Sequence, residues 1–221
     1  MIFDASVWSM ILVGIKETLL MVAISSVISY VLGIPLGIIL VVTDKNGIKP
    51  MPKVNSIIGV IINILRSIPF MILLIMVLPV TRLIVGTTLG WKAVVPPLVF
   101  AAAPYIARMV ESSLKETDAG IIEAAKSMGA SNMQIITKVY LPEAKPSLIT
   151  GAAISITTIL GYSAMAGFVG GGGLGTIAIN YGYYRYQTDI MIVTVIILVL
   201  IVQLIQEAGT RITRNTDKRI R

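Results

Sequence analysis

Long apolar stretches separated by short polar ones set the pattern of this chain. Residues 18–42 carry no charged side chain, and at 1.5 Å rise per helical residue such a run reaches past a hydrocarbon core of about 30 Å. The spacing predicts a first span over 18–42. Further spans are predicted over 55–80, interrupted only by Arg66, over 93–114, carrying Arg108 and Glu111, over 147–168 and over 189–206. The runs are continuous instead of alternating with a period of two, so they predict helices and not barrel strands. The expected architecture is an all-α integral membrane protein with five transmembrane helices. Residues 1–17 form an interfacial lead-in, 18–206 the membrane domain, with 115–145 its longest polar insertion, and 207–221 a basic tail. Pro35, Pro69, Pro79, Pro96, Pro97 and Pro104 fall within or beside the spans, where each removes a backbone donor and favours a kink.

Composition sharpens this picture. Of 221 residues only 13% are charged, against about 25% in a soluble domain, which excludes an ordinary water-soluble globule. There is no histidine and no cysteine, so imidazole acid/base chemistry, thiol nucleophiles and thiolate metal sites are excluded. The net charge of +7 is read as membrane orientation, because cytoplasmic loops collect Lys and Arg. Lys45, Lys49, Lys53, Lys115, Lys126, Lys138, Lys145, Arg211, Arg214, Lys218, Arg219 and Arg221 fall on one side of a five-span layout. Lys16, Arg82, Lys92 and Arg185 fall on the other. Twelve against four places the amino terminus outside and the carboxyl terminus in the cytoplasm.

The insertion 115–145 has a helical grammar of its own. Asp118 suits the N-cap of a helix whose Ile121, Ile122, Ala125 and Met128 share one face, and Gly129 suits the left-handed stop at its end. Ser131 with Gln134 has the form of a capping box opening a second short helix, with Ile135, Ile136 and Val139, before Pro142 halts the chain. A nucleic-acid-binding helix-turn-helix is disfavoured, since Lys115, Lys126, Lys138 and Lys145 are balanced by Glu116, Asp118, Glu123 and Glu143. Two readings stay open on pattern alone: a hairpin packing on the protein's own inner surface, and a docking element for a soluble subunit.

Glu123, Ala124, Ala125, then Gly129, then Val139, Leu141 and Pro142 resemble the EAA signature of bacterial ABC-importer permeases, with Val139 where that pattern has Ile. Arg66-Ser67-Ile68-Pro69-Phe70 is similar to the Arg-Ser-x-Pro segment of the same permeases. Gly167–Gly175 with Tyr181-Gly182-Tyr183 and Arg185-Tyr186 resembles a stretch of the methionine permeases among them. The resemblance implies a type I ABC importer permease, carrying methionine or another amino-acid or betaine-like solute. In it Glu123, Ala124, Ala125, Gly129, Leu141 and Pro142 would couple to an ATPase. It also implies a homodimer, two copies of an ABC ATPase subunit holding ATP and Mg, and a substrate-binding protein or lipoprotein that delivers the solute. No cofactor is expected on this chain.

The residues themselves agree on the division of labour. Gly170–Gly173 lack a following Gly-Lys-Ser/Thr, so there is no P-loop here and ATP must be hydrolysed elsewhere. For a pathway the candidates are Arg66, costly in mid-span unless it faces an interior or a water-filled cavity, with Ser67 and Pro69 beside it, and Tyr162, Ser163 and Met165 in the fourth span. Ordinary helix packing is the competing reading for each. A stand-alone secondary transporter or channel is the alternative of a different class. Against it, the spans offer no carboxylate or imidazole relay beyond Arg66, Arg108 and Glu111, and no inverted repeat is visible.

Overall fold

The computed structural model describes residues 4–216, and within them all regular structure is helical. Helices α1 (Ala5–Thr43), α2 (Pro52–Ser67), α3 (Phe70–Val85) and α4 (Trp91–Lys115) come first. Then follow α5 (Ala119–Ser127) and α6 (Asn132–Ile135), which passes through a π-helical turn, Ile136–Tyr140, into α7 (Leu141–Glu143). Helix α8 (Lys145–Met165) ends in a 3₁₀ turn, Ala166–Val169. The short α9 (Gly173–Ile177) runs into a second π turn, Ala178–Tyr183, and α10 (Thr188–Thr216) closes the described chain. Among the described residues four helices are long and apolar enough to cross a membrane: α1, α4, α8 with its 3₁₀ extension, and α10. The bent pair of α2 and α3 makes a fifth when taken as one span.

Three boundaries differ from the sequence reading. The lead-in expected over 1–17 is helical from Ala5 and continuous with the first span. Its start is capped by Asp4, whose carboxylate accepts from the backbone N–H groups of Ser6 and Val7 at 3.0 Å each. Lys16 and Glu17 marked the expected boundary, but a charged pair in a helix does not interrupt it. The second span, expected unbroken over 55–80, stops at Ser67 and restarts at Phe70. Pro69 has no N–H to continue α2, and the residue before a proline is pushed out of the α region. Pro69 instead sits at the N-cap of α3, where its carbonyl accepts from Ile72 and Leu73 at 3.0 Å. The fifth span, expected to end at 206, continues as helix to Thr216, so the first part of the basic tail is its last turns. Lys218, Arg219 and Arg221 lie outside the described residues.

The chain divides into two units, taken in turn. The first comprises the chain through Ile28, Ile68–Ala102 and Ile156–Gln206. Met21, Leu73, Leu74, Leu98, Ile159 and Leu174 are fully buried in it, and the rings of Phe70 and Tyr162 stack with centroids 4.5 Å apart and planes 7° from parallel. The second comprises Ser29–Ser67, Ala103–Ser155 and the chain from Glu207 onward. Its core gathers Leu40, Ile62 and Ala107, with Leu36 and Ile58 packed against them. Here α1 and α4 touch closely: a Cβ at Gly33 would lie 2.6 Å from Ile106 Cγ2, and one at Gly37 2.6 Å from Val110 Cβ. Small residues at such crossings are what membrane helices use to approach one another. Tyr30 and Ser155 share a hydrogen bond of 2.7 Å between their hydroxyls in the same unit. Val195, Ile196, Val199 and Leu200 on α10 stay exposed, an apolar surface suited to lipid or to a further subunit.

Candidate functional site

The hairpin 115–145 forms as its local chemistry dictates. Asp118 caps α5, accepting from Gly120 N–H at 2.7 Å. At the other end Ala130 N–H reaches the Ala125 carbonyl at 3.0 Å and Gly129 N–H the Lys126 carbonyl at 2.9 Å, the paired bonds of a Schellman stop. Gly129 has φ +80°, a conformation that a side chain makes costly. The capping box closes on both sides, with Gln134 N–H donating to Ser131 Oγ at 3.3 Å and Ser131 N–H to Gln134 Oε1 at 2.8 Å. Ala125 is buried, whereas Glu123, Ala124 and Gly129 are exposed. Met128 and Met133 are exposed at 82% and 67%, so the turn of the hairpin presents apolar surface that this chain does not cover.

Pro142 does not halt the chain as the sequence suggested. It lies inside α7, and helix resumes at Lys145. The reason is the π turn just before it: Leu141 N–H bonds to the Ile136 carbonyl, five residues back. This wider turn accommodates a proline ring that would clash with the carbonyl four residues back in a regular α-helix. Leu141 is half-buried and Pro142 exposed.

A chain of charges lies at the root of the hairpin. Glu111, only 8% exposed, accepts from Arg108 Nη1 at 2.6 Å and from Lys115 Nζ at 2.9 Å. Lys115 also reaches Asp44 Oδ2 at 2.7 Å, and Arg108 Nη2 donates to the Gly59 carbonyl and to Asn63 Oδ1 at 3.0 Å each. The bond from Lys115 holds the Asp44 carboxyl below the usual carboxylate range, while burial pushes the Tyr140 phenol up, with the charge of Asp44 adding to the effect. The Arg108–Glu111 pair was legible as neighbours at i and i+3. Asp44, Gly59 and Asn63 were not, since each meets its partner across more than forty residues of sequence.

The pathway candidates are distributed between the units. Arg66 and Ser67 end α2, and both are exposed. Arg66 is thus at the C-terminal end of α2, where a cation is favoured, beside the break between α2 and α3. Pro69, Tyr162, Ser163 and Met165 belong to the first unit. Tyr162 is the partner of Phe70, Ser163 is buried with its hydroxyl donated to the Leu160 carbonyl at 2.7 Å, and Met165 is 46% exposed. The glycine tract is an ordered, tightly packed element of the same unit. A Cβ at Gly167 would run into the backbone of Gly175, and one at Gly175 into that of Ala164. Gly90 N–H donates to the Gly170 carbonyl at 2.9 Å. The sequence reading missed the cap of α9: Glu17 Oε2 accepts from Gly173 N–H at 2.7 Å, and Thr18 Oγ1 from Leu174 N–H at 2.9 Å.

A sequence profile of binding-protein-dependent transport system inner membrane components matches residues 33–221. The chain belongs to that family. This inner membrane component is 48% identical over 210 residues to the probable D-methionine transport system permease protein MetI of Vibrio cholerae serotype O1, covering 95% of this chain and 93% of that one. It is 45% identical over 181 residues to the methionine import system permease protein MetP of Bacillus subtilis, covering 82% of each. Among solved structures, a chain of the MetNI methionine ABC transporter in an inward-facing conformation superposes with a TM-score of 0.96 at 45% identity, over 98% of this chain and 100% of that one. An amino acid ABC transporter at 17% identity and a TM-score of 0.77 shares the fold. The fold is therefore that of a type I ABC importer permease, and the chain is a transport component and not an enzyme.

Proposed function

We propose that this chain forms the methionine pathway of an ATP-driven importer, as a homodimer joined to two ATPase subunits. The observation that carries the reading is the hairpin. Its caps make α5 a stiff unit, its exposed face offers Glu123, Ala124 and two methionines to a partner, and it sits in a chain 45% identical to one from the MetNI transporter. ATP and Mg would be held by the partner, whose closure would push the two hairpins together and turn the spans outward. A binding protein or lipoprotein would deliver methionine at the outer face, and hydrolysis would reset the inward-facing state. Dimerisation supplies what five spans lack, a wall on both sides of a path. The excess of basic residues supports a cytoplasmic hairpin and carboxyl terminus.

Of the pathway residues, Pro69 and Met165 are the better candidates for lining. Both are exposed within the chain, and a thioether adapts to irregular contacts. Ser163 would act through the shape of α8, because its hydroxyl is already bonded. Glu123, Ala124, Ala125, Gly129, Leu141 and Pro142 would carry coupling. The test is uptake of labelled methionine, with ATP turnover, in vesicles holding this protein, its ATPase and its binding protein. Methionine accumulation that requires ATP and outcompetes other amino acids is expected. Preference for another solute removes the substrate assignment, and uptake without any ATPase removes the coupling.

A further inference from the structure

A groove of about 410 Å³ runs along the first unit. Helix α1 supplies Ile24 and Ile28, the end of α3 supplies Ile84, and α4 supplies Val95, Val99 and Phe100. No wall residue carries a charge except Lys92, which stands with Trp91 where α4 begins. Ile24, Ile28, Ile84 and Phe100 are exposed within the chain, so the groove opens onto whatever surrounds the spans.

Its dimensions and its one charge narrow the class of occupant. From Trp91 to Phe100 the helix rises about 14 Å, close to half a hydrocarbon core of about 30 Å, so the groove has the reach of one leaflet. Spread over that length, 410 Å³ leaves a cross-section of about 30 Å². A methylene chain enters such a slot, and a helix about 10–12 Å across does not. Lys92 is exposed, and among the described residues no carboxylate pairs with it. Its ammonium lies 5.7 Å from the centre of the Trp91 ring. The face of the ring holds the cation at the end of the groove and leaves N–H donors free for a headgroup. Trp and Lys at the end of a span settle at headgroup level, where an ammonium meets phosphate. A zwitterionic headgroup brings a second cation towards Lys92 and gains less than an anionic one.

We propose that this groove seats one acyl chain of an anionic phospholipid, with the headgroup phosphate on Lys92 and the Trp91 indole beside the glycerol. Such a lipid joins α1 to the turn between α3 and α4. The inference rests on these helices crossing a bilayer, and not on which solute the chain carries.

The chain has two tryptophans, so the full-length Trp8→Phe protein reports from Trp91 alone. Its fluorescence is read in phosphatidylcholine vesicles containing a rising fraction of phosphatidylglycerol, or of phosphatidylcholine, with brominated chains, which quench an indole they touch. Half-quenching is expected at an about fivefold lower fraction of the brominated phosphatidylglycerol, the preference that one lysine near a membrane surface supplies. Lys92→Gln should abolish the preference. Arg82→Gln, which removes an exposed cation of α3 that does not line the groove, should keep it. Val95→Phe, one turn from Trp91, and Ile28→Phe, from α1, each fill the slot and should reduce quenching by both lipids. Equal half-quenching fractions overturn the headgroup assignment, and so does a preference that survives Lys92→Gln or falls equally with Arg82→Gln. Quenching that both filled variants leave unchanged overturns the seat. A Trp91 that neither lipid quenches is covered by protein, a second copy of this chain included, and overturns the proposal as a whole.

Discussion

Lys115, at the end of α4, holds Asp44, in the turn after α1, with 2.7 Å between Nζ and Oδ2. The contact keeps the Asp44 carboxyl more acidic in the folded chain than in the unfolded one. A depressed carboxylate pKa means that the unfolded state binds the proton more readily. The contribution is therefore complete above the ordinary value of about 3.9 and is lost as pH falls through the lower folded value. The difference in melting temperature between the parent and Asp44→Asn in detergent is expected to narrow as pH is lowered from about 6 to about 3. A constant difference across that range would show that ionisation of Asp44 contributes nothing.

Glu111 is the more buried acid and serves two cations. Glu111→Ala leaves Arg108 and Lys115 without their shared acceptor, and hydrogen bonds to charged groups contribute about 1.5–3 kcal/mol each. A loss of about 2–4 kcal/mol is expected from thermal or chemical unfolding, with Glu111→Gln intermediate because it keeps the shape and one acceptor oxygen. Stability unchanged in the alanine variant would show that the desolvation cost of this network cancels its attraction.

Glu17 makes a prediction at the other end of α1. Its carboxylate, with the hydroxyl of Thr18, satisfies the first N–H groups of α9 after the glycine tract. Removing such a cap costs about 0.5–2 kcal/mol. Glu17→Ala is expected to fall in that range and Glu17→Gln to recover part of it, read from unfolding in detergent. Faster hydrogen exchange at Gly173 and Leu174 in the alanine variant would locate the effect.

The sequence carried the spans and the hairpin because both are written locally. A charge-free run longer than a bilayer needs no distant partner to be read, and Asp118, Gly129, Ser131 and Gln134 act within a few residues of their own position. Pro142 was misjudged because the π turn that admits it depends on one backbone bond, from Leu141 to Ile136, that no residue type announces. Pro69 was read as a possible kink and a pathway candidate within one continuous span, yet it separates two helices. The Asp44–Lys115 pair and the Glu17 cap were out of reach because each joins segments far apart in sequence, and a lone acid at a span's edge reads as a boundary charge.

The glycine tract provides a packing test. Gly167 lies so close to the backbone of Gly175, and Gly175 to that of Ala164, that neither has room for a methyl group. Backbone cannot yield as a flexible side chain can, so Gly167→Ala and Gly175→Ala should cost about 1–3 kcal/mol or more through overpacking. Gly161, with nothing near its would-be Cβ, is the control, and Gly161→Ala is expected to be neutral or slightly stabilising. Equal stability of all three variants would mean that the tract is not packed as described.

The hairpin supplies the prediction on which coupling turns, and two variants separate recognition from shape. Glu123 is exposed and no described ion pair involves it. Glu123→Arg should therefore leave the stability of the permease within about 0.5 kcal/mol of the parent, as surface changes usually do, while reversing the charge offered to a partner. Gly129→Trp acts differently. At φ +80° a side chain costs about 1–2 kcal/mol, and the bonds that Gly129 and Ala130 make to Lys126 and Ala125 loosen with it. Both variants are expected to lose the ATPase on co-purification from detergent extracts. Only Gly129→Trp should also speed hydrogen exchange across 119–130. If Glu123→Arg retains the ATPase at parental stoichiometry while Gly129→Trp loses it, the hairpin docks by shape alone. If both retain it, the subunit that drives transport grips the permease elsewhere.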